Sequence, residues 1–104
     1  MTLSTHVLDT VKGTGAAFMR VDVLSHDGTT TTVLLDAHGR ATLLQDCEEG
    51  EYQILFHAGQ YWLGSVANKF YDIIPVRFYV EDPAAKYHIP LILSPFGYST
   101  YRGG

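Results

Sequence analysis

Apolar residues at every second position, in runs cut short by glycine, proline and aspartate, constrain this chain more than any other feature. Tyr52, Ile54 and Phe56 alternate with Gln53, Leu55 and His57, and Met19, Val21 and Val23 alternate with Arg20, Asp22 and Leu24. A period of two puts one set on the buried face of a strand and the other set on its opposite face. Leu3 to Leu8, the β-branched run Thr29 to Leu35, Ala41 to Leu44, Phe70 to Val80, Ile89 to Ser94 and Tyr98 to Tyr101 read as further strands. Pro75 marks the Phe70–Val80 run as an edge strand or places it at a strand start. His26-Asp27-Gly28 is a hairpin signal, and Gly39 and the Ser94-Pro95-Phe96-Gly97 stretch mark reversals. The one helical candidate is Gln60 to Lys69, where Trp62, Leu63, Val66 and Ala67 approach a 3.6-residue spacing. Gly64 limits it to a turn or two. Seven to eight short strands with one short helix predict an all-β sandwich of Greek-key type, one domain over residues 1–104.

Composition narrows the partners. With 46% hydrophobic and 12% aromatic residues the chain can bury a modest core and shows no sign of disorder. A formal net charge of −4 argues against nucleic acid or an acidic membrane surface as the main partner. No apolar run approaches the ~20 residues that span a bilayer. Residues 1–10 carry no basic segment followed by a long apolar one, and Cys47 is the only cysteine, so no intrachain disulfide forms. These features suit a cytoplasmic protein; a processed periplasmic chain would read the same way.

The residues with chemical potential are few. His6 lies within the first strand, where the plain reading is a hydrogen-bonded histidine on a half-exposed face. Arg40 leaves a tight turn, as surface cations often do. His26 at its hairpin reads as solvated and idle, and His57 at a strand end reads as structural. His88 opens the penultimate strand, where a side chain can face a cleft. The end of the chain, Tyr101-Arg102-Gly103-Gly104, brings a ring, a guanidinium and a terminal carboxylate within four residues. On residue types alone that end is either a site or a polar edge strand with a basic tip.

The wording of the last eighteen residues separates these alternatives. Tyr87-His88-Ile89-Pro90-Leu91, Ser94-Pro95 and Gly97-Tyr98-Ser99-Thr100-Tyr101-Arg102-Gly103 closely resemble the C-terminal signature of the transthyretin-related 5-hydroxyisourate hydrolases, a YHVPLLLSPxGYSTYRGS-like run. The opening Leu3-Ser4-Thr5-His6-Val7-Leu8-Asp9-Thr10 matches the family's LSTHVLDT-like start, with its histidine on His6. Gly39-Arg40 match the end of a D-x-D-G-R-like motif whose arginine binds substrate. Three departures stand out. Gly15 replaces the proline of a G-x-P-A turn, which predicts a more mobile loop with unchanged chemistry. His38 replaces an acid, leaving Asp36 as the carboxylate that orients Arg40. Gly104 replaces the terminal serine.

The resemblance spans nearly the whole chain. It implies a transthyretin-like sandwich, a homotetramer with sites in a channel between dimers, and hydrolysis of 5-hydroxyisourate to 2-oxo-4-hydroxy-4-carboxy-5-ureidoimidazoline in urate breakdown. His6, His88 and Arg40 are then the catalytic candidates. His6 and Arg40, with Tyr101 and Arg102, are the substrate-binding ones. Opening a cyclic amide with water needs a base, an acid for the leaving nitrogen and donors for the developing oxyanion. Two imidazoles and a planar guanidinium can supply these. Which histidine is the base stays open. No cofactor or metal is implied: a zinc hydrolase needs three or four ligands, and no such histidine or cysteine cluster is present. The other rival is a transthyretin-like carrier or binding module without catalysis.

Overall fold

The alternating runs become two packed sheets in a computed structural model that describes residues 2–104. Met1, the first residue of the expected domain, lies outside them. In chain order the elements are β1 (Leu3–Asp9), β2 (Thr14–Gly15), β3 (Arg20–Leu24), β4 (Thr30–Leu34), β5 (Arg40–Leu44), β6 (Gly50–His57), α1 (Ala58–Trp62), β7 (Ile73–Val80), β8 (Tyr87–Ser94) and β9 (Gly97–Thr100). Eight strands of four or more residues and the two-residue β2 thus accompany one helix among the described residues, an all-β sandwich as the alternation predicts.

One sheet runs β4-β3-β6-β7, antiparallel throughout. The other runs β2-β1-β8-β9, with β5 also paired to β1. Here β1 and β8 are parallel, from Leu3↔Tyr87 to Asp9↔Leu93. Parallel partners need a long connection, and almost the whole chain supplies it. The inward sets of both sheets meet in the core: Leu3 and Val7, Val21 and Val23, Tyr52, Ile54 and Phe56, Leu91 and Leu93, all at most 2% exposed. The outward set of β1 holds Ser4, His6 and Leu8, each only partly buried.

The free edge of β1 is shared. β5 takes the stretch from Leu3 to His6, and β2 takes Leu8 and Asp9. They meet at Val7, whose N–H donates to Gly39 O at 2.9 Å and whose carbonyl accepts from Ala16 N at 2.8 Å. The junction has no room for side chains. A Cβ on Gly15 would lie 1.8 Å from His38 O, and one on Gly39 would lie 2.5 Å from Ala16 N. Gly39 also has φ +74°, a left-handed conformation that glycine adopts without strain. Gly15 is therefore a point of close backbone approach. The mobile loop expected from loss of the proline is corrected to a pinned one.

The helix is shorter and earlier than its spacing predicts. It begins at Ala58, directly after β6, where the Gly59 N–H bonds Asp72 O at 2.8 Å. It ends at Trp62 because Leu63 is extended and Gly64 has φ +75°. Trp62 is buried in the core, whereas Leu63 is 70% exposed, so the apparent 3.6-residue stripe is not a helix face. β7 likewise starts at Ile73, three residues later than its run, and forms the sheet edge that Pro75 indicates.

Candidate active site

Strand register assembles the candidate residues. His6 on β1 stands opposite Arg40 on β5 and opposite Pro90 on β8. Directly paired residues share a face, with Cβ atoms ~5 Å apart. One rung along, Ser4 stands opposite both Thr42 and His88. The hydroxyl of Ser4 lies 2.9 Å from His88 Nδ1, which leaves Nε2 as the ring nitrogen free to meet a ligand. Arg40, His6 and His88, 82 residues apart at the extremes of the resemblance, thus share the outer face of one sheet.

The chain end continues this pattern. β9 pairs with β8 from Leu91↔Thr100 to Ser94↔Gly97, and Gly103 bridges to His88 in the same register. Tyr101 therefore falls beside Pro90, on the rung and face of His6 and Arg40. The Gly103 N–H donates to His88 O at 2.7 Å. A Cβ there would sit 2.7 Å from His88 Cδ2 and 3.2 Å from Pro90 Cγ, so the tail lies directly on the imidazole. Neighbouring residues of an extended chain point to opposite faces, and Arg102 accordingly faces away. Its guanidinium lies over the Tyr87 ring, 4.2 Å from the centroid, and donates to Lys86 O at 3.3 Å. Within one chain, Arg102 anchors the tail and does not meet His6 or Arg40.

The turn before Arg40 carries the electrostatics. The Asp36 carboxylate accepts the His38 N–H at 2.8 Å and the Arg40 N–H at 3.0 Å, and the Arg40 and His38 amides hold it below the usual carboxylate range. Asp36 thus orients Arg40 through the main chain; no carboxylate among the described residues lies within 4.0 Å of the guanidinium. Burial, then the Arg40 cation, lower the pKa of His6 below its ordinary 6.5, with a smaller push from His88; the His38 carbonyl and Asp36 oppose them. His6 is consequently neutral at neutral pH, as a general base must be.

Beside His6 and Arg40 opens a hollow of about 720 Å³, also lined by Lys12, His38 and Tyr61. The Tyr61 hydroxyl donates to the buried Asp9 at 2.5 Å, and burial with that carboxylate pushes the phenol pKa far upward. Lys12 and Tyr61 carry no sequence signal of a site, since a turn lysine and a helix tyrosine are ordinary. Ser4 could be found only through the β1–β8 register. The remaining histidines lie elsewhere. His57 Nε2 pairs with Asp22 at 2.8 Å on the other sheet. His26 is exposed, as expected for its hairpin, and also meets Tyr52 Oη at 3.2 Å and Glu48 at 3.4 Å. Among the described residues no group of three or more histidines, cysteines or carboxylates is placed to hold a metal ion.

Known proteins resemble the chain over nearly its whole length. Residues 3–103 match the model of the HIUase/Transthyretin family. The 5-hydroxyisourate hydrolase of Deinococcus radiodurans is 40% identical over 112 aligned positions, covering 97% of this chain and 94% of that protein. The solved structure of Klebsiella pneumoniae 5-hydroxyisourate hydrolase superposes with a TM-score of 0.88 at 31% identity, covering 100% of both chains. Sea bream transthyretin in complex with thyroxine gives a TM-score of 0.86 at 30% identity, covering 97% of this chain and 93% of its own. Sequence, fold and coverage agree that the chain belongs to the HIUase/Transthyretin family.

Proposed function

We infer that this chain is a hydrolase that opens 5-hydroxyisourate to 2-oxo-4-hydroxy-4-carboxy-5-ureidoimidazoline, in purine breakdown. The observation that carries the reading is the single rung Arg40–His6–Pro90–Tyr101, with His88 and its Ser4 partner on the next. A β-sandwich that only binds has no need of a neutral, partly buried imidazole beside a guanidinium. Relatives named 5-hydroxyisourate hydrolase, 40% and 42% identical over 97% of this chain, support the same choice.

In this reading His6, neutral beside Arg40, takes a proton from water as it attacks the ring carbonyl. Arg40 offers its planar fork to the heterocycle and to the oxyanion. His88, oriented by Ser4, returns a proton to the leaving nitrogen. Tyr101 closes the site with its ring, and Arg102 holds the tail that presents it. The catalytic set is thus His6, His88 and Arg40, and no metal or cofactor is invoked.

Assembly belongs to the same proposal. β7 and β9 are edge strands of their sheets, as β4 and the β2/β5 pair are at the opposite ends, and they lie on one side of the sandwich, where the Tyr71 and Tyr98 rings meet at 5.0 Å. Exposed Phe70, Tyr79 and Phe96 flank these edges. Bare edges of this kind are covered by pairing, so both sheets continue into a second copy, and two such dimers form a homotetramer. Light scattering at micromolar concentration tests this, and a monomer would contradict it. No helix of the described residues is long and apolar enough to cross a membrane, and the reading places the enzyme in the cytoplasm. Turnover is tested by the ultraviolet decay of freshly made 5-hydroxyisourate: faster than the protein-free rate supports the reading, equal to it removes the reading.

A further inference from the structure

We propose that Lys12 and His38 form a carboxylate-receiving rim on the hollow beside His6 and Arg40, which holds the acid group created by ring opening. The proposal rests on the hydrolase reading for the identity of that acid, and on the hollow itself for its binding. In the reaction the oxygen of water bonds to the ring carbonyl carbon, the carbon–nitrogen bond breaks, and the nitrogen takes one proton of the water. The acid then releases its own proton, so the product gains a negative charge that the ring amide lacked.

The hollow is suited to that charge. His6, Lys12, His38 and Arg40 all line it, and none of its lining residues bears a carboxylate. This occurs in a chain whose acids outnumber its lysines and arginines, 11 to 7. The acids nearest the hollow are engaged elsewhere. Asp36 accepts two main-chain N–H groups of its own turn. Asp9 accepts the Val11 and Lys12 N–H groups through Oδ1 and the Tyr61 hydroxyl through Oδ2. The Lys12 ammonium therefore has no carboxylate within 4.0 Å among the described residues. It rests 5.8 Å from the centroid of the Tyr61 ring, whose hydroxyl is kept protonated by burial and by Asp9.

His6 and Arg40 are committed to water and the reacting carbonyl, which leaves Lys12 and His38 free for a second group of the same ligand. They reach the hollow from different turns, Lys12 between β1 and β2, His38 between β4 and β5. A lysine supplies a fixed cation, and an imidazole supplies at least one N–H donor in any protonation state. His38 stands where the motif it resembles has an acid. A carboxylate there would repel the product; the imidazole removes that repulsion.

Orotate and uracil test this, because they share a planar ring and differ by one carboxylate. Binding is measured by NMR titration of the assembled protein near neutral pH. The wild type is expected to bind orotate about fivefold or more tightly than uracil, the discrimination of one exposed charge pair of about 1 kcal/mol. Lys12→Met and His38→Ala should each weaken orotate severalfold while uracil affinity and melting temperature hold, and Lys12→Arg should retain orotate. Equal affinity of the wild type for the two probes, or an equal loss of both probes in Lys12→Met, would overturn the proposal. Lys12-dependent orotate binding in a protein that does not turn over 5-hydroxyisourate would uphold the anion site and remove the hydrolase reading.

Discussion

The two terminal glycines make a sharply divided pair of perturbations. A Cβ at Gly103 would lie 2.7 Å from His88 Cδ2, where ordinary contact begins at 3.4 Å, an overlap of roughly 0.7 Å; a Cβ at Gly104 meets nothing within 4 Å. In Gly103→Ala either the tail lifts or the ring turns. Lifting the tail gives up the 2.7 Å bond from Gly103 N–H to His88 O, a loss of about 0.5–1.5 kcal/mol. Turning the ring gives up the 2.9 Å contact of Nδ1 with Ser4. Misplacing a reacting group by ~1 Å costs about 10²-fold in rate, so a shift of this size should lower kcat roughly 10–100-fold. Gly104→Ala and Gly104→Ser should stay within about tenfold of the parent, or less than ~1.4 kcal/mol. The assay is the ultraviolet decay of 5-hydroxyisourate, with the His88 imidazole resonances read alongside. Unchanged kcat and unshifted His88 resonances in Gly103→Ala would refute the placement of the tail on the ring.

His6→Ala and His88→Ala should each lower kcat roughly 10²–10⁴-fold, the usual share of general acid–base catalysis, with cooperative melting retained. Arg40→Lys should also be impaired, since an ammonium lacks the planar fork; near-normal turnover in all three would remove the assignment. The pKa of His6 lies below 6.5, so the unfolded chain binds its proton more readily than the folded one. Both kcat/KM and the His6 contribution to stability should therefore persist at neutral pH and be lost as pH falls below 6.5; a kcat/KM acid limb centred above 6.5 would contradict this. Gly15→Ala should destabilise by ~1–3 kcal/mol through overpacking against His38 O, 1.8 Å from the added carbon. An unchanged melting temperature would show that the junction yields.

Local pattern carried most of the strands and little of the site. Tyr52, Ile54 and Phe56 are buried on one face of β6 as their period of two requires. The helix failed because four apolar residues from Trp62 to Ala67 imitate a stripe, while the conformation of Gly64 stops the helix before it can use them. The junction of Gly15 with His38 is a tertiary contact, invisible in a turn that reads as merely flexible. No periodicity joins His6 to His88, because the parallel β1–β8 pairing that unites them spans the chain. The tail teaches a different lesson. Tyr101 and Arg102 look like one site as neighbours, yet strand alternation already forbids both from facing His6, and Arg102 goes to Tyr87. His6, Arg40 and His88 stand out only through the resemblance, and the register supplies their common face.

Catalytic turnover by His6, Arg40 and His88 is the central claim. It is tested most directly by adding substoichiometric protein to freshly made 5-hydroxyisourate and following its ultraviolet decay, with His6→Ala in parallel. The account predicts many turnovers per subunit at neutral pH and decay close to the protein-free rate for His6→Ala. Decay no faster than the protein-free control, or a spectral change that stops at one equivalent of ligand as a carrier would give, would contradict it.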